Sequence, residues 1–216
     1  MRQFLEGQAA LPAKGMGEVS NQLLASLPAE SIRFGTEVIE LSASHVKMKG
    51  GETLEYERLI IALDPHAAAK LLKVELPTSI HLGSKTFYFS APKRALKDKL
   101  LHLIPGESPL LHYCFLSHVA PQYAPKGKDL IQVTSFDLSL EADEVLGLLA
   151  AYEDVKGMKI LKAFSIPRSL AKVGVFDSIK LAAEAQGYIL AGDYMEMPSL
   201  QGALVSGQKA AVRSFN

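Results

Sequence analysis

Val19, Leu23, Leu24 and Leu27 recur at helical spacing until Pro28, which stops the run, so residues 18–26 read as an amphipathic helix. The pattern then changes to short apolar stretches. Residues 32–34, 37–41 and 45–49 read as strands, the last with Val46 and Met48 on one face. Gly50-Gly51 is a two-residue turn signal and residues 53–56 return, which predicts a small antiparallel meander. Residues 58–63, Arg-Leu-Ile-Ile-Ala-Leu, are almost continuously apolar and suit a strand buried on both faces, as in a parallel sheet. Asp64-Pro65 ends that strand, and Asp64 is placed to cap a helix over residues 66–72.

Beyond Pro77 the pattern predicts four strands, at residues 85–90, 110–115, 130–136 and 160–166. A helix over residues 139–153 turns Leu140, Val145, Leu148, Leu149 and Tyr152 toward a core, and strands with one long helix between the last two predict an α+β layer. The end returns to the earlier character. Residues 188–191 form a short apolar strand, Gly192-Asp193 closes it, and residues 199–211 form a helix rich in Gly, Ala and Ser. The fold class is therefore α/β plus α+β: one layer from residues 1–72 and 187–216, and a mixed-sheet domain with helices from residues 73–186.

Composition narrows the function. The 216 residues are 48% hydrophobic and 21% charged, as expected of a globular chain rather than a disordered one. Lys plus Arg and Asp plus Glu both number 23, a balance that removes the electrostatic case for nucleic acid as a partner. Lys93, Arg94, Lys97 and Lys99 cluster, but Asp98 lies among them, and the group reads as a solvated helix face. The single cysteine, Cys114, excludes an internal disulfide and reads as a buried small hydrophobe; the six histidines show no metal-ligand spacing. No run of 18 apolar residues spans a membrane and the N-terminus does not read as a secretory signal, so the expected location is cytoplasmic.

The chemistry gathers at the tail. A strand ends in Gly192, where backbone can approach closely; Asp193 supplies a carboxylate at the strand's C-terminal edge; a helix then opens with small residues and unspent amides. This order resembles the C-terminal flavin motif of the flavin-containing amine oxidase and phytoene desaturase superfamily. Other pieces resemble it in order: Pro12-Ala13-Lys14-Gly15-Met16-Gly17, residues 35–41, residues 59–65, and Ser165-Ile166-Pro167.

The resemblance implies that residues 1–72 and 187–216 are a partial FAD-binding domain and residues 73–186 a substrate-type domain, with FAD as cofactor and a role for each matching residue. The Val38 backbone would lie beside the adenine end, and Ala62 beside the pyrophosphate and ribose. Gly192 would allow close approach, and Asp193 would accept from the ribityl chain or a nearby water. The amides of Leu200 and Gln201, with Gly202 and Ala203 behind them, would face the flavin N1 and C2 carbonyl. It also implies hydride removal from a C–N or C–C bond of a small apolar substrate. Ser199 stands where amine oxidases of the superfamily often have an aromatic residue, which widens that expectation to desaturase-like oxidation.

The Gly-x-Gly-x-x-Gly turn that opens such proteins is absent, because Glu18, Val19 and Ser20 follow Gly15-Met16-Gly17. That leaves an alternative expectation: a non-catalytic binding or dimerisation module without flavin, pairing as a homodimer through the sheet edge that the opening strand would cover.

Overall fold

The computed structural model describes residues 10–76, 81–95, 99–171 and 176–215, with only the backbone given for His81, Leu170 and Ala171. The chain forms two compact units, Met1–Ser31 with Gly83–Ser169, and Ile32–Leu82 with Leu170–Asn216.

In the second of these, β1 (Val38–Leu41), β2 (His45–Met48) and β3 (Thr53–Glu55) form the expected antiparallel meander. The turn between β2 and β3 needs glycine, because Gly50 and Gly51 sit at φ 119° and 93°. Val46 and Met48 are buried while Lys47 between them is exposed, as alternation requires. No strand forms at residues 32–34. Gly35 turns the chain there at φ 69°, and Phe34 is left 78% exposed.

β4 (Ile60–Ile61) pairs in parallel with β10 (Ile189–Leu190), Ile60 opposite Ile189 and Ile61 opposite Leu190. The parallel character was expected, but burial on both faces is not found. Ile61 is buried, whereas Ile60 and Leu63 are 38% and 40% exposed. Two strands cannot cover both faces of a strand between them.

Helix α2 (Pro65–Leu72) follows, and the Asp64 carboxylate accepts from the amides of His66 and Ala67 at 3.0 and 3.3 Å. Replacing Asp64 with Ala will lower stability by about 1 kcal/mol, read as a lower urea midpoint with an unchanged slope. Helix α5 (Asp177–Ala185), not anticipated from the sequence, precedes β10 and buries Ile179 and Ala183. Its core partners include Ile61, Ala68, Ala69, Leu72, Phe176, Leu190 and Tyr194. A 3₁₀ turn (Asp193–Met195) and helix α6 (Leu200–Phe215) close the unit.

The other unit carries α1 (Gly17–Leu24), which buries none of its residues. Its sheet has five strands, β5 (His81–Pro92), β6 (Leu101–Leu103), β7 (Leu110–Phe115), β8 (Lys128–Ser135) and β9 (Lys159–Ala171), in the order β6-β7-β8-β5-β9. The predicted mixed sheet is antiparallel instead. β6–β7, β7–β8 and β5–β8 pair antiparallel. Contacts between β5 and β9 run in opposite directions too, Ser84 with Ser169 and Tyr88 with Phe164. β6 and the short α3 (Leu116–Val119) were not anticipated.

Phe87, Phe89, Phe115, Ile131 and Val133 form one buried face with Val145 and Leu149 of α4 (Ala142–Leu149). That helix is shorter than the predicted 139–153. A capping box between Glu141 and Glu144 starts it, and Asp137 already holds Ser139 in a turn.

The basic cluster is not a helix face in its described part. Arg94 is half-buried over the Phe115 ring, ion-paired to Glu153 and donating to the Asp154 carbonyl at 2.8 Å. Lys97 and Asp98 lie outside the described residues. Cys114 is half-buried rather than buried, on the sheet face opposite the α4 core.

Candidate functional site

In the parallel-strand unit, β1, β4 and α2 enclose a cleft of about 720 Å³. Val38 opens β1 and Ala62 follows β4, and both line it, so two positions 24 residues apart in the sequence meet at one hollow. Its other walls are largely aliphatic, among them Ile39, Leu41, Ile60, Leu63 and Leu71, with Glu37 and Lys70 as its charged members. A hydrogen bond from Lys49 holds the Glu37 carboxyl below the ordinary carboxylate value, with Lys70 adding to the effect.

The tail residues sit around β10 and the start of α6. Gly192 is half-buried and its amide donates to Ser206 Oγ on α6 at 3.1 Å. A side chain at Gly192 would collide with the Tyr194 ring, its Cβ 2.3 Å from the nearest ring carbon. Asp193, half-buried, begins the 3₁₀ turn, which packs on α6. Ser199 Oγ accepts from the Gly202 amide at 3.0 Å, and its carbonyl accepts from Ala203 at 3.0 Å. The amides of Leu200 and Gln201 have no partner among the described residues. Leu200, Gln201 and Ala203 are exposed and Gly202 is buried.

The candidates thus fall into two groups: Val38 with Ala62 at the cleft, and Gly192, Asp193 and residues 200–203 at the β10–α6 corner.

Sequence reasoning missed Tyr194. Its ring is buried against Phe176, with centroids 5.2 Å apart, and its hydroxyl has no hydrogen-bond partner among the described residues. Burial, and then the charges of Asp64 and Asp193, push the phenol up to about 12. Those two carboxylates follow the C-terminal ends of adjacent parallel strands, where ligands of open α/β sheets bind. The tyrosine follows the Gly-Asp pair directly, but nothing local in the sequence shows that its hydroxyl is enclosed.

The other unit holds a buried polar cluster of a different kind. Asp129 accepts from Ser117 Oγ at 3.0 Å and from the Arg94 amide at 2.8 Å, and lies 3.2 Å from His118 Nε2. The serine is bonded to the carboxylate and not to the imidazole, so the nucleophile–base contact of a hydrolytic triad is absent. Lys85 is likewise structural, donating to the Leu140 carbonyl at 2.6 Å and to Glu141 at 2.9 Å.

Parallel strands meeting a Gly-Asp corner and a helix start, in a chain that also carries antiparallel sheets, make this a mixed α/β protein with several sheets. The family model for flavin containing amine oxidoreductases matches residues 1–150, and the chain belongs to that family. The matched region includes Val38 and Ala62 but ends before the tail corner.

No curated protein matches the chain. Among solved structures, reduced UDP-galactopyranose mutase is similar at 15% identity and a TM-score of 0.70, over 91% of this chain and 50% of that one. A protoporphyrinogen oxidase-like protein from Exiguobacterium sp. is similar at 14% identity and a TM-score of 0.70, over 94% and 51%. An oxidoreductase from Methanosarcina mazei follows at 15% and 0.56, over 83% and 49%. The chain therefore spans about half the length of these proteins, and the likeness is one of fold. No helix among the described residues is long and apolar enough to cross a membrane.

Family membership assigns FAD to the complete protein. The residues present suit that cofactor in two places. The aliphatic cleft at Val38 and Ala62 suits a flat ring edge against backbone, and the two unspent amides of α6 suit an electron-rich carbonyl. The enclosed Tyr194 hydroxyl is a polar atom still without a partner beside the same corner. A holder for the pyrophosphate is a different matter, because Asp64 already occupies the first amides of α2 and adds a negative charge there.

Proposed function

We propose that this chain supplies part of the FAD site of an FAD-dependent oxidoreductase that oxidises a C–N or C–C bond of a small apolar molecule. The observation that carries the reading is the β10 corner: a parallel strand ending in Gly192-Asp193, followed by a helix whose Leu200 and Gln201 amides are unspent. Bound FAD supplies the hydride acceptor, and the protein's part is to hold and tune it.

In this reading the Val38 backbone would lie beside the adenine end and Ala62 beside the pyrophosphate and ribose. Asp193 accepts a hydrogen bond from a ribityl hydroxyl. The Leu200 and Gln201 amides would face the ring's N1 and C2 carbonyl and would stabilise negative charge there. A helix terminus stabilises such a charge by roughly 0.3–1 kcal/mol when exposed and by up to ~2 when partly buried. That tunes the potential but does not create the reactivity. Gly202 serves by its lack of a side chain, since the Met197 carbonyl occupies the space a Cβ would need.

The test is amide NMR of the purified chain with added FAD. Resonances of Val38, Ala62, Leu200 and Gln201 are expected to shift together along one titration curve. Ala62→Arg, which places a long charged side chain in the cleft, is expected to weaken binding by roughly tenfold or more. Shifts confined to other surfaces, or an unchanged affinity in Ala62→Arg, would sink the reading.

A further inference from the structure

We propose that a hollow at the N-terminal ends of β4 and β10 binds a small phosphate-bearing anion, held between the guanidinium groups of Arg58 and Arg213. It does not depend on the flavin reading above. Ligands of open α/β sheets meet the C-terminal ends of the strands, where Asp64 and Asp193 lie, and this hollow is at the other end.

The cavity holds about 600 Å³, within the range of small-molecule sites, and Tyr56, Arg58, Leu59, Gly187, Tyr188 and Arg213 are among its walls. Leu59 and Tyr188 stand just before β4 and β10, and Arg213 comes from the last turn of α6. A smaller hollow of about 270 Å³ shares Gly187, Tyr188 and Arg213 with it and adds Lys180 from α5. Arg213 is common to both, so three cations surround one continuous depression. Glu57 and Glu184 are the acidic members, which leaves one positive charge in excess.

The acceptors nearby are already spent. The Ser42 carbonyl accepts from the Tyr56 and Tyr188 hydroxyls, the second at 3.2 Å. Burial, and then Tyr188, push the Tyr56 phenol up to about 12. At the end of α5, the Ala183 carbonyl accepts from the Gln186 and Tyr188 amides, Glu184 from the Gly187 amide, and Ala182 from Gln186 Nε2. The Arg58 and Arg213 guanidinium groups have no hydrogen bond or ion pair among the described residues. Arg33, elsewhere in the same unit, is by contrast paired to Glu52 at 2.9 Å.

Chemistry selects the ligand. A guanidinium presents a planar fork of donors that matches two oxygens of one anion. A phosphate has enough oxygens to engage two forks at once, whereas a carboxylate has only two to share between them. The cavity is also much larger than a phosphate group, which leaves room for the organic part of a phosphate ester beside the two tyrosines.

The experiment titrates the isotope-labelled chain at low salt with inorganic phosphate and, separately, with glycerol phosphate. The Arg58 and Arg213 Nε–H resonances and the Gly187 amide are expected to move together on one saturating curve, while Val38, Ala62, Leu200 and Gln201 do not move. Arg58→Gln and Arg213→Gln are each expected to weaken binding by roughly tenfold or more. Arg33→Gln, at an arginine that already has its partner, should leave the affinity unchanged. All three side chains are exposed, and the urea midpoint of each variant shows that it still folds. Tighter binding of glycerol phosphate than of inorganic phosphate assigns the site to a phosphate ester, and equal affinity assigns it to free phosphate.

Shifts that fail to saturate at millimolar phosphate, or an affinity unchanged in both glutamine variants, would overturn the proposal. So would phosphate shifts at Val38 and Ala62 in place of those at Arg58 and Arg213. FAD binding is read at different amides, so either proposal can fail while the other stands.

Discussion

Asp129→Ala will destabilise the five-stranded-sheet unit by about 2–5 kcal/mol, because it removes the acceptor of two donors, the Arg94 amide and the Ser117 hydroxyl. Asp129 is 4% exposed and receives the Arg94 amide and the Ser117 hydroxyl, with His118 Nε2 3.2 Å away. Alanine would leave these buried groups without their acceptor, and an unsatisfied buried donor costs roughly 1–3 kcal/mol. The loss extends to β8, because Ser117 Oγ also accepts the Leu130 amide at 3.1 Å.

The same cluster gives an acid limb. Burial works against the Asp129 charge, but the Arg94 amide, His118 and Ser117 outweigh it and hold the carboxyl below its ordinary value. A carboxyl lowered in the folded state contributes stability that is complete above its unfolded value, about 3.9, and lost as pH falls through the folded one. Wild type should therefore weaken below about pH 4, and Asp129→Asn should show less of that slope. Urea unfolding across pH 2.5–7 (roughly the span on which carboxylates titrate) measures both effects. An Asp129→Ala midpoint equal to wild type would show that the cluster is not a stabilising element.

Gly202→Val will displace the start of α6 and cost about 3 kcal/mol, the upper part of the usual overpacking range. The atom in the way is backbone: a Cβ at position 202 would lie 1.9 Å from the Met197 carbonyl oxygen and 3.0 Å from its carbon. No rotamer change relieves such a clash, so residues 197–199 must move and the Ser199–Gly202 hydrogen bond is lost with them. Gly202→Ala should fail in the same way, since the first carbon is the one that collides.

Gly207→Ala, one turn and a little further along α6, is the control. Nothing lies within 4 Å of its Cβ, and alanine there should stabilise the helix by roughly 0.5–1 kcal/mol. Thermal midpoints of the three variants decide the matter, and the Leu200 and Gln201 amide shifts report whether the corner has moved. Equal midpoints for positions 202 and 207 would mean that the close approach at Met197 does not constrain the helix.

The meander, the Asp64 cap and the small-residue helix were legible because each depends on neighbours in the chain. Gly50-Gly51 needs positive φ, Asp64 needs amides two and three residues ahead, and Val46 and Met48 need only alternation. α5 escaped because alanine carries little periodic signal, and β6 because three residues are too few to show a period. The predicted mixed sheet failed for a related reason: strand direction belongs to pairs of strands, and no strand's own residues declare it.

At the candidate site, the strand–Gly-Asp–helix order was readable, and its resemblance to the flavin motif of a known superfamily is what pointed to flavin. That Val38 and Ala62 share one cleft was not readable from spacing, nor was the enclosure of the Tyr194 hydroxyl between two acidic corners. The Asp129 cluster joins three separate segments, one with Arg94, one with Ser117 and His118, and β8 with Asp129 itself, and Arg94 reads in the sequence as a solvated cation. Short-range signals set the elements and their polar ends, because φ/ψ preference, capping and alternation act over a few residues. Which elements meet and which polar atoms lose water depend on contacts dozens of residues apart. Those contacts exist only once the chain has folded.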